Sequence, residues 1–98
     1  MGETIYSQHI ILIIEDDATT RDLLRGKLEQ AGYIALEASN GKTGLARALS
    51  LPRPNVILLD LIMPDMNGLT VLEQLRSQQT NKPIPVILMT KLYVGTDQ

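Results

Sequence analysis

The chain reads HIILIIEDD from residue 9 to residue 17, a nearly continuous β-branched apolar run that ends in three acids. Residues 56–60 repeat the pattern as VILLD, and residues 86–89 read VILM before Thr90. Short continuous apolar runs of this kind are typical of strands that are covered on both faces, as in a parallel sheet. The weaker run at residues 33–38 predicts a strand nearer the edge of that sheet.

Three amphipathic helical patterns lie between the predicted strands. The first follows Asp17 or Thr19, either of which can cap it, and Gly32 can close its end. The other two are predicted over residues 41–50 and 68–78. The order is therefore β-α-β-α-β-α-β, which indicates parallel strands joined by right-handed crossovers. The predicted fold class is α/β, with a doubly wound parallel sheet of strand order 2-1-3-4.

The composition limits the classes of protein that this chain can represent. Its 98 residues are enough for one small domain with one modest core. With 9 Lys and Arg against 11 Asp and Glu, it lacks the basic surface expected of a nucleic-acid-binding domain. The absence of Cys excludes disulfides and thiolate metal sites. The longest unbroken apolar run is far shorter than the ~20 residues that cross a bilayer, and we expect no targeting leader. We therefore expect a cytoplasmic protein with no membrane partner and no direct contact with nucleic acid.

Acidic residues follow two of the predicted strands at the point where each strand ends. Glu15 and Asp16 follow the first strand, and Asp60 ends the third. These strands are neighbours in the predicted order, so their carboxylates should converge at one edge of the sheet. Carboxylates this close repel one another unless a cation lies between them, and oxygen ligands favour Mg²⁺ where a phosphate is also present. Asp17 is more simply interpreted as a helix cap, and Thr90 either faces the same crevice or caps a loop.

The loop after Asp60 has residues that restrict its backbone. Pro64 confines Met63 to an extended conformation, and Gly68 is expected to allow a tight turn into the third helix. Met63 and Met66 are expected to anchor the loop to the sheet through apolar contacts.

Three segments carry a family resemblance, namely LIIEDD at residues 12–17, LLDLIMPDMNG at residues 58–68 and PVILMT at residues 85–90. Together they resemble the receiver domain of response regulators in two-component signalling. The resemblance implies a flavodoxin-like fold and a signalling phosphoacceptor that promotes its own phosphorylation and dephosphorylation without being a conventional enzyme. It also implies a histidine kinase or a phosphotransfer protein as the partner.

The resemblance also implies a role for individual residues. Asp60 corresponds to the phosphoacceptor, which attacks the phosphoryl group of a phosphohistidine. Asp16 is implied to bind Mg²⁺ directly and Glu15 to bind it through water, with Asp60 and the backbone carbonyl of Ile62 completing the protein ligands. Thr90 is implied to be the switch hydroxyl that moves toward the phosphoryl group. A carboxylate nucleophile gives an acyl phosphate, and a metal supplies the charge neutralisation that phosphoryl transfer needs. This interpretation requires the Asp60 side chain to be open to a donor.

The resemblance stops at Thr90, where the family continues with another helix, a fifth strand and a final helix. We therefore expect residues 1–98 to form a single receiver-like domain that is truncated after its fourth strand. It would lack the family's usual Lys, which Lys91 could replace only by pointing inward. Without a fifth strand, residues 86–89 form an exposed apolar edge, which invites pairing with another chain. We expect either self-association, through this strand or through the surface left by the missing elements, or a chain that is a fragment of a longer natural protein.

Two other functions remain open from the sequence. A truncated receiver could act as a dimerisation or interaction module without phosphorylation, and its association would then be indifferent to Asp60→Asn and to Mg²⁺. A Mg²⁺-dependent phosphohydrolase on a similar sheet is a weaker alternative. Those enzymes commonly place a second acid two residues after the nucleophile, and here that position is Ile62.

Overall fold

A computed structural model describes residues 8–78 and 82–90 of the chain. Seven elements follow one another in the predicted order: β1 (Ile10–Ile14), α1 (Ala18–Gln30), β2 (Ile34–Ala38), α2 (Gly41–Ala48), β3 (Val56–Asp60), α3 (Gly68–Gln78) and β4 (Val86–Met89). The strands form one parallel sheet in the order β2-β1-β3-β4. This confirms the doubly wound α/β fold. None of the helices within these two ranges is long and apolar enough to cross a membrane.

The register aligns the carboxyl ends of three strands. Ile14 of β1 pairs with Leu59 of β3, and Asp60 of β3 pairs with Met89 of β4. The residues that follow these strands therefore leave the sheet at one edge, which is the edge where an open α/β sheet holds its functional groups. Strand β4 ends at Met89, so Thr90 is the first residue beyond it.

Helix α1 has the two end signals that the sequence predicted. The carboxylate of Asp17 accepts hydrogen bonds from the N–H of Thr20 at 2.9 Å and from its hydroxyl at 2.6 Å. Asp17 is therefore the N-cap, and Thr19 lies within the first turn of the helix. Beyond the other end, Gly32 has a φ of 94°, a left-handed conformation that glycine adopts without steric cost.

Helix α2 ends earlier than the predicted boundary at residue 50. Its last residue is Ala48, and Leu49 is the C-cap. The N–H of Leu49 still donates to the carbonyl of Leu45, but the N–H of Ser50 donates to the nearer carbonyl of Arg47. The chain therefore tightens into a turn before Pro52, which was the stop signal visible in the sequence.

The core lies between the sheet and the helices α2 and α3. Leu12 and Ile14 of β1 are fully buried there, with Leu59 of β3 and Leu75 of α3. Ile13 points to the opposite face of the sheet and is also fully buried. Strand β1 is thus covered on both faces, as its unbroken apolar sequence predicted.

The loop between β3 and α3 is anchored to this core by its methionines. Met63 is buried within the cluster of core side chains, and Met66 packs against that cluster. The predicted apolar role of both side chains is confirmed. This anchoring fixes the segment that directly follows Asp60.

Strand β4 carries apolar side chains that are accessible on both of its faces. Ile87 is 55% exposed and Leu88 is 38% exposed, and successive side chains of a strand point to opposite faces of the sheet. The predicted apolar character of this strand is confirmed, whereas self-association through it stays a prediction.

Candidate functional site

Three carboxylates meet at the carboxyl edge of β1 and β3. Glu15, Asp16 and Asp60 each have a carboxylate oxygen, and these oxygens all lie within 4.8 Å of one another. Glu15 and Asp60 are only 2% and 1% exposed, and Asp16 is half-buried. Burial of a carboxylate is costly unless opposite charge or hydrogen bonds compensate it. The structure therefore brings together the three acids that the sequence predicted to converge.

The first side of this cluster is held by the turn between β1 and α1. The N–H of Glu15 donates to the carbonyl of Ala38 at 3.1 Å, which extends the pairing of β1 with β2 by one residue. The Glu15 side chain folds back, so that its Oε2 accepts the N–H of Asp17 at 3.0 Å. The Asp17 carboxylate is turned toward α1 as its cap. Asp17 is thus a helix cap, as predicted, and its N–H also holds the Glu15 carboxylate.

Asp60 supplies the other side of the cluster from the last position of β3. Its Oδ1 lies 3.3 Å from the N–H of Ile62, which donates to it. The structure thus brings the backbone of Ile62 beside Asp60, and the role of the Ile62 carbonyl as a metal ligand stays a prediction. Asp60 is only 1% exposed, whereas the sequence interpretation required its side chain to be open to a phosphoryl donor.

Gly68, the first residue of α3, lies against the backbone of Asp60. A Cβ on Gly68 would sit 2.6 Å from the carbonyl oxygen of Asp60 and 2.9 Å from the Cα of Leu61. The N–H of Gly68 donates to the Leu61 carbonyl at 2.7 Å. The backbone φ of Gly68 is not positive. The sequence interpretation of Gly68 as a residue that permits a tight turn is therefore replaced by a close backbone approach, which leaves no room for a side chain.

Asp65 connects the loop after β3 to the first turn of α2. Its Oδ1 accepts the N–H of Gly41 and its Oδ2 accepts the N–H of Lys42, both at 3.0 Å. These backbone hydrogen bonds, first from Gly41 and then from Lys42, lower the pKa of the Asp65 carboxyl from its usual value. Sequence reasoning missed this contact. The sequence carries no local signal for it, because Asp65 and Gly41 are 24 residues apart in the chain.

Thr90 follows β4 at a point where the chain lies next to the end of β3. The N–H of Leu61 donates to the carbonyl of Met89 at 2.9 Å, so the backbones that leave β3 and β4 are hydrogen-bonded to each other. Thr90 follows Met89 directly and is exposed. The expectation that Lys91 could replace the family's usual Lys only by pointing inward concerns a residue outside the described part of the chain.

The sequence and fold match one known family. The family model for the response regulator receiver domain matches residues 11–95. The chain belongs to this family. Receiver domains are signalling phosphoacceptors that interact with histidine kinases or phosphotransfer proteins, and they bind Mg²⁺ at a cluster of acidic residues. The clustered acids of this receiver domain match that arrangement.

Two curated relatives and one solved structure illustrate the match. The chain is 43% identical over 82 residues to the DNA-binding dual master transcriptional regulator RpaA of Synechocystis, covering 84% of this chain and 34% of RpaA. It is 38% identical over 88 residues to protein PilH of Pseudomonas aeruginosa, covering 90% of this chain and 72% of PilH. The structure of the Thermotoga maritima response regulator TrrA in complex with Mg²⁺-BeF matches with a TM-score of 0.77 and 31% identity, over 85% of this chain and 70% of TrrA. The chain thus spans about a third of the length of RpaA and most of PilH.

The donor set of this receiver domain fits a divalent cation that prefers oxygen. All three clustered groups are carboxylates, and they come close enough to share one ion. Mg²⁺ is commonly held by one or two carboxylates together with water and phosphate oxygens. The residues present therefore fit the metal that the family implies.

Proposed function

We propose that this receiver domain accepts a phosphoryl group on Asp60, in the cytoplasm, from a phosphohistidine of a sensor kinase or phosphotransfer protein. The transfer depends on Mg²⁺ and serves phosphorelay signalling. The observation that carries the proposal is the approach of the Glu15, Asp16 and Asp60 carboxylates to within 4.8 Å of one another. Membership of the receiver family supports the assignment of a phosphoryl group as the group that is transferred.

The proposed reaction is a displacement at phosphorus. An oxygen of the Asp60 carboxylate forms a bond to phosphorus while the phosphorus–nitrogen bond of the donor breaks. The imidazole nitrogen keeps the electron pair and takes up a proton from the solvent, and the product on Asp60 is an acyl phosphate. A carboxylate nucleophile needs no base to remove a proton, so the protein contributes mainly positioning and charge stabilisation. The Ile62 N–H, 3.3 Å from Asp60 Oδ1, orients the nucleophile.

Asp16 and Glu15 are the residues that would hold the metal, together with Asp60 and the backbone carbonyl of Ile62. When bound, Mg²⁺ neutralises negative charge on the phosphoryl oxygens. Without a cation, the same three carboxylates would repel an incoming phosphoryl group. The solved complex of TrrA with Mg²⁺-BeF supports this assignment by analogy.

Thr90 is proposed to donate its hydroxyl to a phosphoryl oxygen on Asp60. The pairing of Asp60 with Met89 supports this role, since Thr90 is the next residue beyond that pair. Thr90→Ser keeps the hydroxyl and should preserve the spectral changes that phosphorylation causes. Thr90→Ala should still accept the phosphoryl group but lose those changes, which one-dimensional methyl spectra of the phosphorylated protein would record.

The burial of Asp60 adds a requirement to the proposed reaction. Because only 1% of the residue is exposed, a donor reaches it after a local rearrangement. The adjacent loop contains Ile62, Pro64 and Asp65, which are all exposed. Met63 and Met66 anchor this loop to the core, so the rearrangement is confined to its exposed residues. These exposed residues are the proposed route of access to Asp60.

The proposed function is tested by the intact mass of the protein after incubation with acetyl phosphate. We expect a mass increase of one phosphoryl group with Mg²⁺, and none when Mg²⁺ is chelated or when Asp60 is replaced in Asp60→Asn. Asp22→Asn is the matched control, because Asp22 is an exposed carboxylate on α1 and its loss should leave labelling unchanged. Labelling that persists in Asp60→Asn would contradict the proposal.

A second candidate function is an interaction module that associates through β4. The exposure of Ile87 and Leu88 on opposite faces of this strand favours it. This function predicts self-association that is unchanged by Asp60→Asn and by Mg²⁺, and that is reduced by Ile87→Lys. Light scattering over a range of concentrations distinguishes the two cases. A monomer of 10.8 kDa at every concentration would remove this candidate.

A further inference from the structure

The guanidinium of Arg21 links three elements around the acidic cluster. Arg21 lies on α1, and its Nη1 donates to the backbone carbonyl of Glu15 at 2.9 Å and reaches that of Asp16 at 3.5 Å. Its Nε donates to Oε1 of Glu37 on β2 at 3.2 Å. The side chains of Arg21 and Glu37 are 18% and 26% exposed, so this contact is largely shielded from water.

These contacts fall on Glu15 and Asp16, which supply two of the three carboxylates of the cluster. The pairing of β1 with β2 fixes the N–H of Glu15, which donates to Ala38. Arg21 holds the opposite side of the same residue, its carbonyl, and extends to the next carbonyl at Asp16. The direction in which each carboxylate leaves the backbone depends on the orientation of these peptide groups. Arg21 therefore acts on the geometry of the two carboxylates through the backbone carbonyls of Glu15 and Asp16.

The chemistry of the side chain suits this task. A guanidinium is a planar fork that can donate in several fixed directions at once, whereas an ammonium is a single point of charge on a flexible stem. Glu37 holds one edge of the fork, so the rest of the group faces the turn between β1 and α1 in a defined orientation. Partners that orient metal-binding residues typically change metal affinity by about 10–100-fold when they are removed.

We propose that Arg21, anchored by Glu37, is a positioning residue that orients Glu15 and Asp16 for a divalent cation before the cation binds. This inference rests on the proposed function, because it assigns the support of the same acidic cluster. Arg21 itself contacts neither the cation nor the phosphoryl group in this role. Its contribution is a turn that is already arranged in the metal-free protein.

The chain offers a matched control on the same helix. Arg25 donates from Nη1 to Oε2 of the same Glu37 at 2.6 Å and pairs with Asp22 at 3.6 Å. Within residues 8–78 and 82–90, no hydrogen bond joins Arg25 to Glu15 or Asp16. Replacing Arg25 therefore removes a cation from Glu37 and leaves the turn contacts in place. The comparison of Arg21→Ala with Arg25→Ala separates the positioning of the turn from the ion pairing of Glu37.

The test measures the dissociation constant of Mg²⁺ by calorimetry, beside the urea midpoint of each variant. We expect Arg21→Ala to weaken Mg²⁺ binding by about tenfold or more, and Arg25→Ala to stay within about twofold of the unmodified protein. Arg21→Lys keeps a cation beside Glu37, and we expect it to weaken Mg²⁺ binding by at least about threefold. If Arg21→Ala does not fold, the Mg²⁺ affinity of Arg21→Lys tests the inference in its place.

A second readout needs no metal. The N–H of Asp17 donates to Oε2 of Glu15, so its hydrogen exchange reports where that side chain lies. In metal-free protein, we expect this amide to exchange faster in Arg21→Ala and at an unchanged rate in Arg25→Ala. Equal Mg²⁺ affinity in Arg21→Ala and the unmodified protein, or equal losses in the Arg21 and Arg25 variants, would overturn the inference alone. Unmodified protein that binds no Mg²⁺ would overturn the proposed function as well.

Discussion

The Cα of Gly68 lies against the carbonyl of Asp60, at a distance that would place a Cβ 2.6 Å from that oxygen. Real Cβ atoms do not approach an oxygen so closely, and both partners here are backbone. The first residue of α3 is therefore coupled to the strand end that carries the proposed phosphoacceptor. A side chain at position 68 has to displace either the helix or the end of β3.

Gly68→Ala should destabilise the protein by about 1–3 kcal/mol, which is the usual cost of an overpacked site. It should also reduce phosphorylation of Asp60, because the displaced backbone carries that residue. Urea denaturation gives the change in the free energy of unfolding, and intact mass gives the extent of labelling. A variant as stable as the unmodified protein would show that the backbone can move aside at no cost.

Gly26→Ala should have the opposite effect on stability. Gly26 lies inside α1 and an added Cβ would meet nothing within 4 Å. Alanine in a helix interior is more favourable than glycine by about 0.5–1 kcal/mol. We expect the urea midpoint to rise and labelling of Asp60 to be unchanged. A lower midpoint would mean that this glycine serves a contact beyond the helix.

Asp65→Asn should destabilise the protein at neutral pH, and this effect should disappear in acid. The hydrogen bonds from Gly41 and Lys42 lower the pKa of Asp65 from 3.8. A lowered pKa in the folded state means that the carboxylate adds stability above the pKa of the unfolded chain, and that this stability is lost as the pH falls through the folded-state value. The difference in unfolding free energy between the variant and the unmodified protein should therefore be constant near neutral pH and shrink below about pH 4. A difference that does not vary down to strongly acidic pH would exclude this origin.

Asp17→Ala should cost about 1 kcal/mol by removing the cap of α1. Asp17→Ser should restore most of that loss, because a serine hydroxyl can accept the same N–H of Thr20. Thermal unfolding monitored by circular dichroism would compare the two variants. If Ser were no better than Ala, the Asp17 carboxylate would have a role beyond capping.

The fold could be predicted because its signals are local. The unbroken apolar run ending at Ile14 and the similar run ending at Leu59 define strands that are buried on both faces. Asp17 and Gly32 define the ends of the first helix by their own backbone chemistry. The end of α2 differs from the prediction, because Pro52 marks where the helix must already have ended but does not show where its last turn tightens.

The composition of the acidic cluster was also predictable, because adjacent parallel strands bring their following residues together. The contacts that hold the cluster in place could not be predicted. The reach of Arg21 to the turn after β1, the contact of Asp65 with α2 and the burial of Asp60 depend on how helices are set against the sheet. Sequence spacing does not encode those distances. The close approach of Gly68 to Asp60 was also not predictable, because the sequence shows a glycine but not which backbone lies against it.

The acidic cluster draws its members from both sides of a long intervening segment, which includes β2 and α2. No unfolded stretch of the chain can present all three carboxylates in this arrangement. A cation that binds them is therefore a ligand of the native state alone. By mass action, a cation concentration 100 times the dissociation constant would raise the free energy of unfolding by about 2.7 kcal/mol. The concentration of magnesium around the protein would then govern its half-life against proteases as well as the proposed signalling.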